Sequence, residues 1–126
     1  MAVPILKQGD YLIAMIQAAL SDAELVELRQ KLVERTGRFR SRGVIVDVTA
    51  LDVMDSFAAR TLRDLAHMAR LRGAETVIVG IQPEVAFAMA QLGLTLEGVA
   101  TALDLEEGLD FLNRTFARKQ IGSIGS

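Results

Sequence analysis

Few residues in this chain have the type and placement to do chemistry, and Ser56 is the one whose position singles it out. It follows Asp55 at the point where a helical stripe begins, because Ala58, Leu62, Leu65 and Ala69 recur at intervals of three or four, as one buried helix face requires. The stretch before it, Thr49-Ala50-Leu51-Asp52-Val53-Met54, carries no such stripe. The first turn of a helix leaves backbone N–H groups unpaired at the positive end of the helix dipole, a setting suited to a hydroxyl and better suited to an anion. A serine there is a candidate for phosphate chemistry. Taken alone, it is equally the residue type that caps helices for backbone reasons.

Other chemistries fail on spacing or composition. The single histidine, His67, lies eleven residues after Ser56 on the same predicted helix, about 16 Å away along an axis rising 1.5 Å per residue, so it cannot serve as base for that serine. It shares a polar stripe with Arg60, Arg63 and Arg70, where a solvated ring is expected. There is no Gly-x-Ser-x-Gly elbow, no Walker loop and no dinucleotide glycine fingerprint. Asp47 sits in a predicted strand, as an aspartate of a receiver-type phosphorylation site would. That chemistry needs acidic metal ligands and a lysine at a neighbouring strand end, whereas the lysines are Lys7, Lys31 and Lys119, outside both central strands. A locally paired strand residue is the expectation for Asp47. Without cysteine there is no disulfide, thiol catalysis or thiolate metal site.

The elements around Ser56 follow from hydrophobic pattern. Val44, Ile45, Val46 and Val48 form a β-branched run broken only by Asp47, the mark of a strand covered on both faces. The helix from Ser56 ends near Gly73, and Thr76-Val77-Ile78-Val79-Gly80-Ile81 follows as a second strand, so strand, helix, strand predicts a parallel pair with a right-handed crossover. Upstream, Val3–Lys7 and Tyr11–Ile16 flank Gln8-Gly9-Asp10 and read as a hairpin with one strand at a sheet edge. Ser21-Asp22-Ala23-Glu24 has capping-box spacing and opens a helix with an inward stripe of Leu25, Leu28, Leu32 and Phe39, and with Glu27–Lys31 and Glu34–Arg38 as solvated pairs.

Downstream, Pro83 suits the first turn of a third helix that turns Val85, Ala86, Met89 and Ala90 inward and stops near Gly93. A short strand is expected around Val99-Ala100, then a last helix striped by Leu105, Leu109, Leu112 and Phe116. The expected organisation is one α/β domain over residues 1–117, with a mixed sheet of four to five strands and four helices, and a flexible tail over 118–126.

Composition limits the partners. A net charge of -2, with five Phe, one Tyr and no Trp, offers little attraction to phosphate backbones and little for bases to stack on, so nucleic acid is not expected. No apolar run approaches the roughly twenty residues of a membrane span, and the first residues lack a basic segment followed by an apolar core, so a cytoplasmic protein is expected. Hydrophobic residues make up 51% of the chain, high for so small a domain, which points to self-association or coverage by partner subunits.

The pattern Asp47-Val48-Thr49 through Asp52-Val53-Met54-Asp55-Ser56-Phe57 resembles the phosphorylation segment of STAS domains, the anti-anti-sigma-factor superfamily. Antagonists of that superfamily usually follow Asp-Ser with a small Ser-Gly pair. Phe57-Ala58-Ala59-Arg60 is instead similar to the RsbS-type branch, the single-domain STAS proteins of the bacterial stressosome, and Gly80-Ile81-Gln82-Pro83 resembles the same branch. The larger RsbR relatives carry an additional N-terminal sensor domain and usually threonine at the modified position.

The resemblance implies a non-catalytic scaffold without cofactor or metal. It would join RsbR-type STAS proteins, hold an RsbT-type serine/threonine kinase and release it when Ser56 is phosphorylated, with Asp55, Phe57 and Arg60 as the phosphate and partner environment. A dedicated phosphatase would reset it. The runner-up readings are an anti-anti-sigma factor that binds an anti-sigma-factor kinase, and a STAS domain that binds a small ligand.

Overall fold

The computed structural model describes residues 3–125, with side chains as far as Arg118. Strands β1 (Ile5–Gln8) and β2 (Tyr11–Met15) form the antiparallel hairpin, turned at Gly9. Strand β3 (Gly43–Asp47), β4 (Glu75–Val79) and β5 (Ala100–Ala102) then add in parallel, so the five-stranded sheet runs β1-β2-β3-β4-β5. The connections are α1 (Asp22–Phe39), α2 (Ser56–Leu71) and α3 (Pro83–Gln91), and α4 (Leu105–Gly125) follows the last strand. This is the mixed sheet and the four helices that the hydrophobic pattern predicts.

The period-two alternation of the strands divides the core in two. Leu12, Ala14, Val44, Val46 and Ile78 face α1 and α2 and pack with Leu28, Leu32, Leu62 and Leu65, while Val85 and Met89 of α3 close the same layer. The alternate residues Ile13, Ile45, Val77 and Val79 face α4 and meet Leu112, with Leu105, Leu109 and Phe116 against them. Val44, Ile45 and Val46 are fully buried, as a central strand covered on both faces must be. Gly108 lets α4 come close to the sheet, since a Cβ there would lie 2.7 Å from a Val79 methyl.

Two details depart from the sequence reading. Phe39 is 41% exposed and the inward position is taken by Thr36, whose hydroxyl donates to the Leu32 carbonyl at 2.7 Å. Phe39 ends α1, just before Arg40 turns the chain into the left-handed region (φ 51°), and it is left beneath the cations of Lys7 and Arg38. Glu27 and Lys31 do pair, at 3.0 Å.

In α3, Ala86 and Ala90 are exposed and only Val85 and Met89 are buried. A nine-residue helix resting on one edge of the core has room for a narrow stripe, not the broad one expected. The last helix, α4, runs Leu105–Gly125, and the side chains of the tail expected over 118–126 lie, beyond Arg118, outside the described residues.

Candidate functional site

Between the end of β3 and the start of α2 the backbone is irregular but anchored. Leu51 and Met54 turn inward, 7% and 4% exposed, and leave Asp52, Val53, Asp55 and Ser56 on the surface. Val48 continues the sheet by donating its N–H to the Val79 carbonyl at 3.0 Å, and Leu51 N–H closes a turn on the Val48 carbonyl at 3.0 Å. Asp47 is the locally paired residue the sequence predicts, because its Oδ1 accepts the Thr49 N–H at 2.9 Å and the Thr49 hydroxyl at 2.6 Å.

The helix start is organised differently from the bare sequence reading. Asp55 is the N-cap, with extended backbone (φ -83°, ψ 178°), and its Oδ1 accepts the Ala58 N–H at 2.8 Å. Ser56 is therefore the first helical residue and not the cap. Its side chain is exposed, and among the described residues its hydroxyl makes no hydrogen bond. Met54 and Ala59, which flank the cap, sit in the same core layer and hold the entry angle of the chain as a hydrophobic staple does.

Phe57 is half-buried against the core beside Ser56, with its carbonyl accepting the Thr61 hydroxyl at 2.8 Å. Arg60 is exposed one turn after Ser56, on the face that continues through Arg63, His67 and Arg70. Arg70 is engaged elsewhere, donating to the Gly98 carbonyl at 2.9 Å and facing Glu75 at 3.5 Å. His67 is exposed on this stripe, far along the helix from Ser56. Asp55, Ser56, Phe57 and Arg60 thus share the first turns of one helix, as their spacing requires.

Two residues that the sequence marks only by resemblance, Gly80 and Gln82, reach the site in the fold. The Gln82 amide, at the end of the neighbouring strand-to-helix turn, donates to the Thr49 carbonyl at 2.7 Å and reaches Asp52 Oδ1 at 3.4 Å. Gly80 (φ 81°) lets that turn press against Thr49, since any Cβ there would collide with the Thr49 hydroxyl. Such ties join positions thirty or more residues apart in the chain, which local patterns do not encode.

A hollow of about 120 Å³ beside the helix start, lined in part by Leu20, Leu25, Val53 and Asp55, is small against the roughly 300–1,000 Å³ of ligand pockets. The site is a surface feature, an exposed hydroxyl at a helix tip with two exposed carboxylates, Asp52 and Asp55, close to it in sequence. That arrangement can accept a covalent anion and present it to a partner.

Residues 2–108 match the family model for the STAS domain. The chain belongs to this family. Over its length this STAS domain is similar to a solved serine-to-glutamate variant of RsbS from Moorella thermoacetica, with 36% identity and a TM-score of 0.78 across 94% of this chain and 99% of that one. A chain from a structure of the stressosome, described as a signal integration and transduction hub, is 34% identical with a TM-score of 0.71, covering 89% of this chain and 97% of that one.

Among curated proteins, the RsbT co-antagonist protein RsbRA of Bacillus subtilis is 31% identical over 78% of this chain, and this chain spans only 35% of that relative's length. The fold and family implied by the Asp55-Ser56-Phe57 segment are thereby those of this chain. No described helix of this STAS domain is long and apolar enough to cross a membrane.

Proposed function

We propose that this STAS domain is a non-catalytic stressosome scaffold that assembles with RsbR-type STAS proteins, sequesters an RsbT-type serine/threonine kinase in the cytoplasm and releases it when Ser56 is phosphorylated. The observation that carries the reading is the freedom of the Ser56 hydroxyl. Asp55 holds the cap, so modification at Ser56 leaves the bond that starts α2 in place. The similarity to RsbS across nearly the whole of both chains supports the same assignment.

The release follows from electrostatics. A phosphoserine adds about -1.5 to -2 charge at neutral pH, close in sequence to the exposed carboxylates of Asp52 and Asp55. The helix dipole offsets only about 0.3–1 kcal/mol of this at an exposed position, enough for the fold to carry the group. A partner packed over neutral Ser56 would have to desolvate a dianion, which costs more than the contact returns unless the partner supplies matching cations. No refolding is needed.

Exposed Val53, Phe87 and Leu92 offer apolar area for subunits or kinase, in keeping with self-association. Reset requires a phosphatase that reaches the same exposed serine.

The decisive test is mass spectrometry after incubation with an RsbT-type kinase and ATP. Phosphate on Ser56, absent in Ser56→Ala, is the expected outcome. An unmodified Ser56, or phosphate on other residues alone, would return the chain to the small-ligand reading.

A further inference from the structure

The segment that delivers Ser56, residues 49–55, has two apolar anchors beneath it in Leu51 and Met54. Among the described residues, two side chains from outside the segment hydrogen-bond to it: Asp47, from the end of the preceding strand, and Gln82, which alone reaches it from another strand-to-helix turn. The 2.7 Å bond to the Thr49 carbonyl is the strong one, and the 3.4 Å approach to Asp52 is a weaker second.

The position of Gln82 is informative. It is the N-cap of α3, where Ser, Asp or Asn would normally bond to their own helix, yet its side chain makes no cap bond. Pro83 behind it has no N–H to satisfy. The amide is thus turned away from its own helix toward the neighbouring loop, and Gly80 supplies the close approach that makes the reach possible.

We propose that Gln82 is a positioning residue for phosphorylation at Ser56, fixing the 49–55 segment so that the serine is presented in one geometry to the phosphoryl donor. This deepens the phosphorylation reading above and rests on it. Gln82 is itself only partly exposed and is not one of the exposed apolar residues offered to partners, so its loss is expected to appear in the chemical step.

Three variants separate a donor from a packing role. Gln82→Met keeps length without a donor, Gln82→Lys keeps a donor and opposes Asp52 with a positive charge, and Gln82→Glu places a carboxylate against the Thr49 carbonyl and Asp52. With the RsbT-type kinase, kcat for Ser56 should be near wild type for Lys. It should fall about two- to tenfold for Met, the range of one lost hydrogen bond, and further for Glu, with KM nearly unchanged. Hydrogen exchange of the backbone amides of 50–55, measured without kinase, should speed up in the same order.

Met equal to wild type with Lys impaired would show that only side-chain volume matters and would overturn the proposal. So would a wild-type kcat in both Met and Glu. If exchange follows the order but wild-type Ser56 accepts no phosphate, the phosphorylation reading itself fails.

Discussion

Asp55 Oδ1 accepts the N–H of Ala58 at 2.8 Å, so the residue before the candidate serine, and not the serine, closes the first turn of α2. The cap bond and the candidate serine are thus on different side chains. One side chain holds the helix start, and its neighbour is exposed, as the proposed switch requires.

From that bond follows an asymmetry between adjacent substitutions. Asp55→Ala should cost about 0.5–2 kcal/mol, the usual loss for a side-chain cap, whereas Ser56→Ala should stay within about 0.5 kcal/mol of wild type. Urea unfolding followed by circular dichroism measures both. A Ser56→Ala loss as large as that of Asp55→Ala would mean that the serine shares the cap.

Kinase capture should be graded by charge at position 56. In pull-downs with an RsbT-type kinase, wild type and Ser56→Ala should bind most strongly, Ser56→Asp less and phosphorylated wild type least, because an aspartate supplies one negative charge where phosphate supplies nearly two. Equal capture of all four, with folding intact, would sink the switch.

Arg60, exposed one turn beyond Ser56, should meet a phosphate on it, since positions four apart on a helix are neighbours and a guanidinium offers paired donors. A nearby cation favours the dianion and lowers its second pKa, so Arg60→Ala should raise that pKa. The size should be a few tenths of a unit, because exposed ion pairs are worth only about 0.2–1 kcal/mol. Phosphorus NMR titration of the two phosphorylated proteins reads the difference, and coincident curves would place Arg60 in solvent.

Tyr11 gives a pH signature away from the site. Burial, reinforced by the charge of Asp10 and partly opposed by Arg42, raises its phenol above the ordinary value of 10.0, and its hydroxyl donates to Asn113 Oδ1 at 2.5 Å. Below the unfolded pKa both states keep the proton and the contribution is fully present. As pH rises from there through the folded pKa, the unfolded chain loses its proton first and stability falls. As the chain's one tyrosine, with no tryptophan, it can be titrated by ultraviolet absorbance. The midpoint should exceed that of the denatured chain, and Tyr11→Phe should remove this part of the alkaline loss.

Much was legible in order along the chain. The β-branched run at Val44–Val48 and the three-four spacing of Ala58, Leu62, Leu65 and Ala69 encode burial directly, because each element must turn its apolar face to the core, so the strands, helices and parallel crossover followed from pattern. The Asp55-Ser56-Phe57 segment also pointed to the STAS family and to the candidate site by its resemblance to STAS domains.

What the tertiary structure decided were matters of one residue or of long range. Asp55 and Ser56 are both good caps, and only backbone geometry selects which side chain reaches the Ala58 amide. Phe39 satisfied the helical spacing, yet the chain leaves α1 at Arg40 before the core can cover it. Gln82 meets Thr49 across thirty-three residues of sequence, through a contact that exists only because two strand-to-helix turns emerge side by side from adjacent parallel strands. Periodicity records which face of an element is dry. Which polar side chains meet above the sheet depends on where the folded strands end.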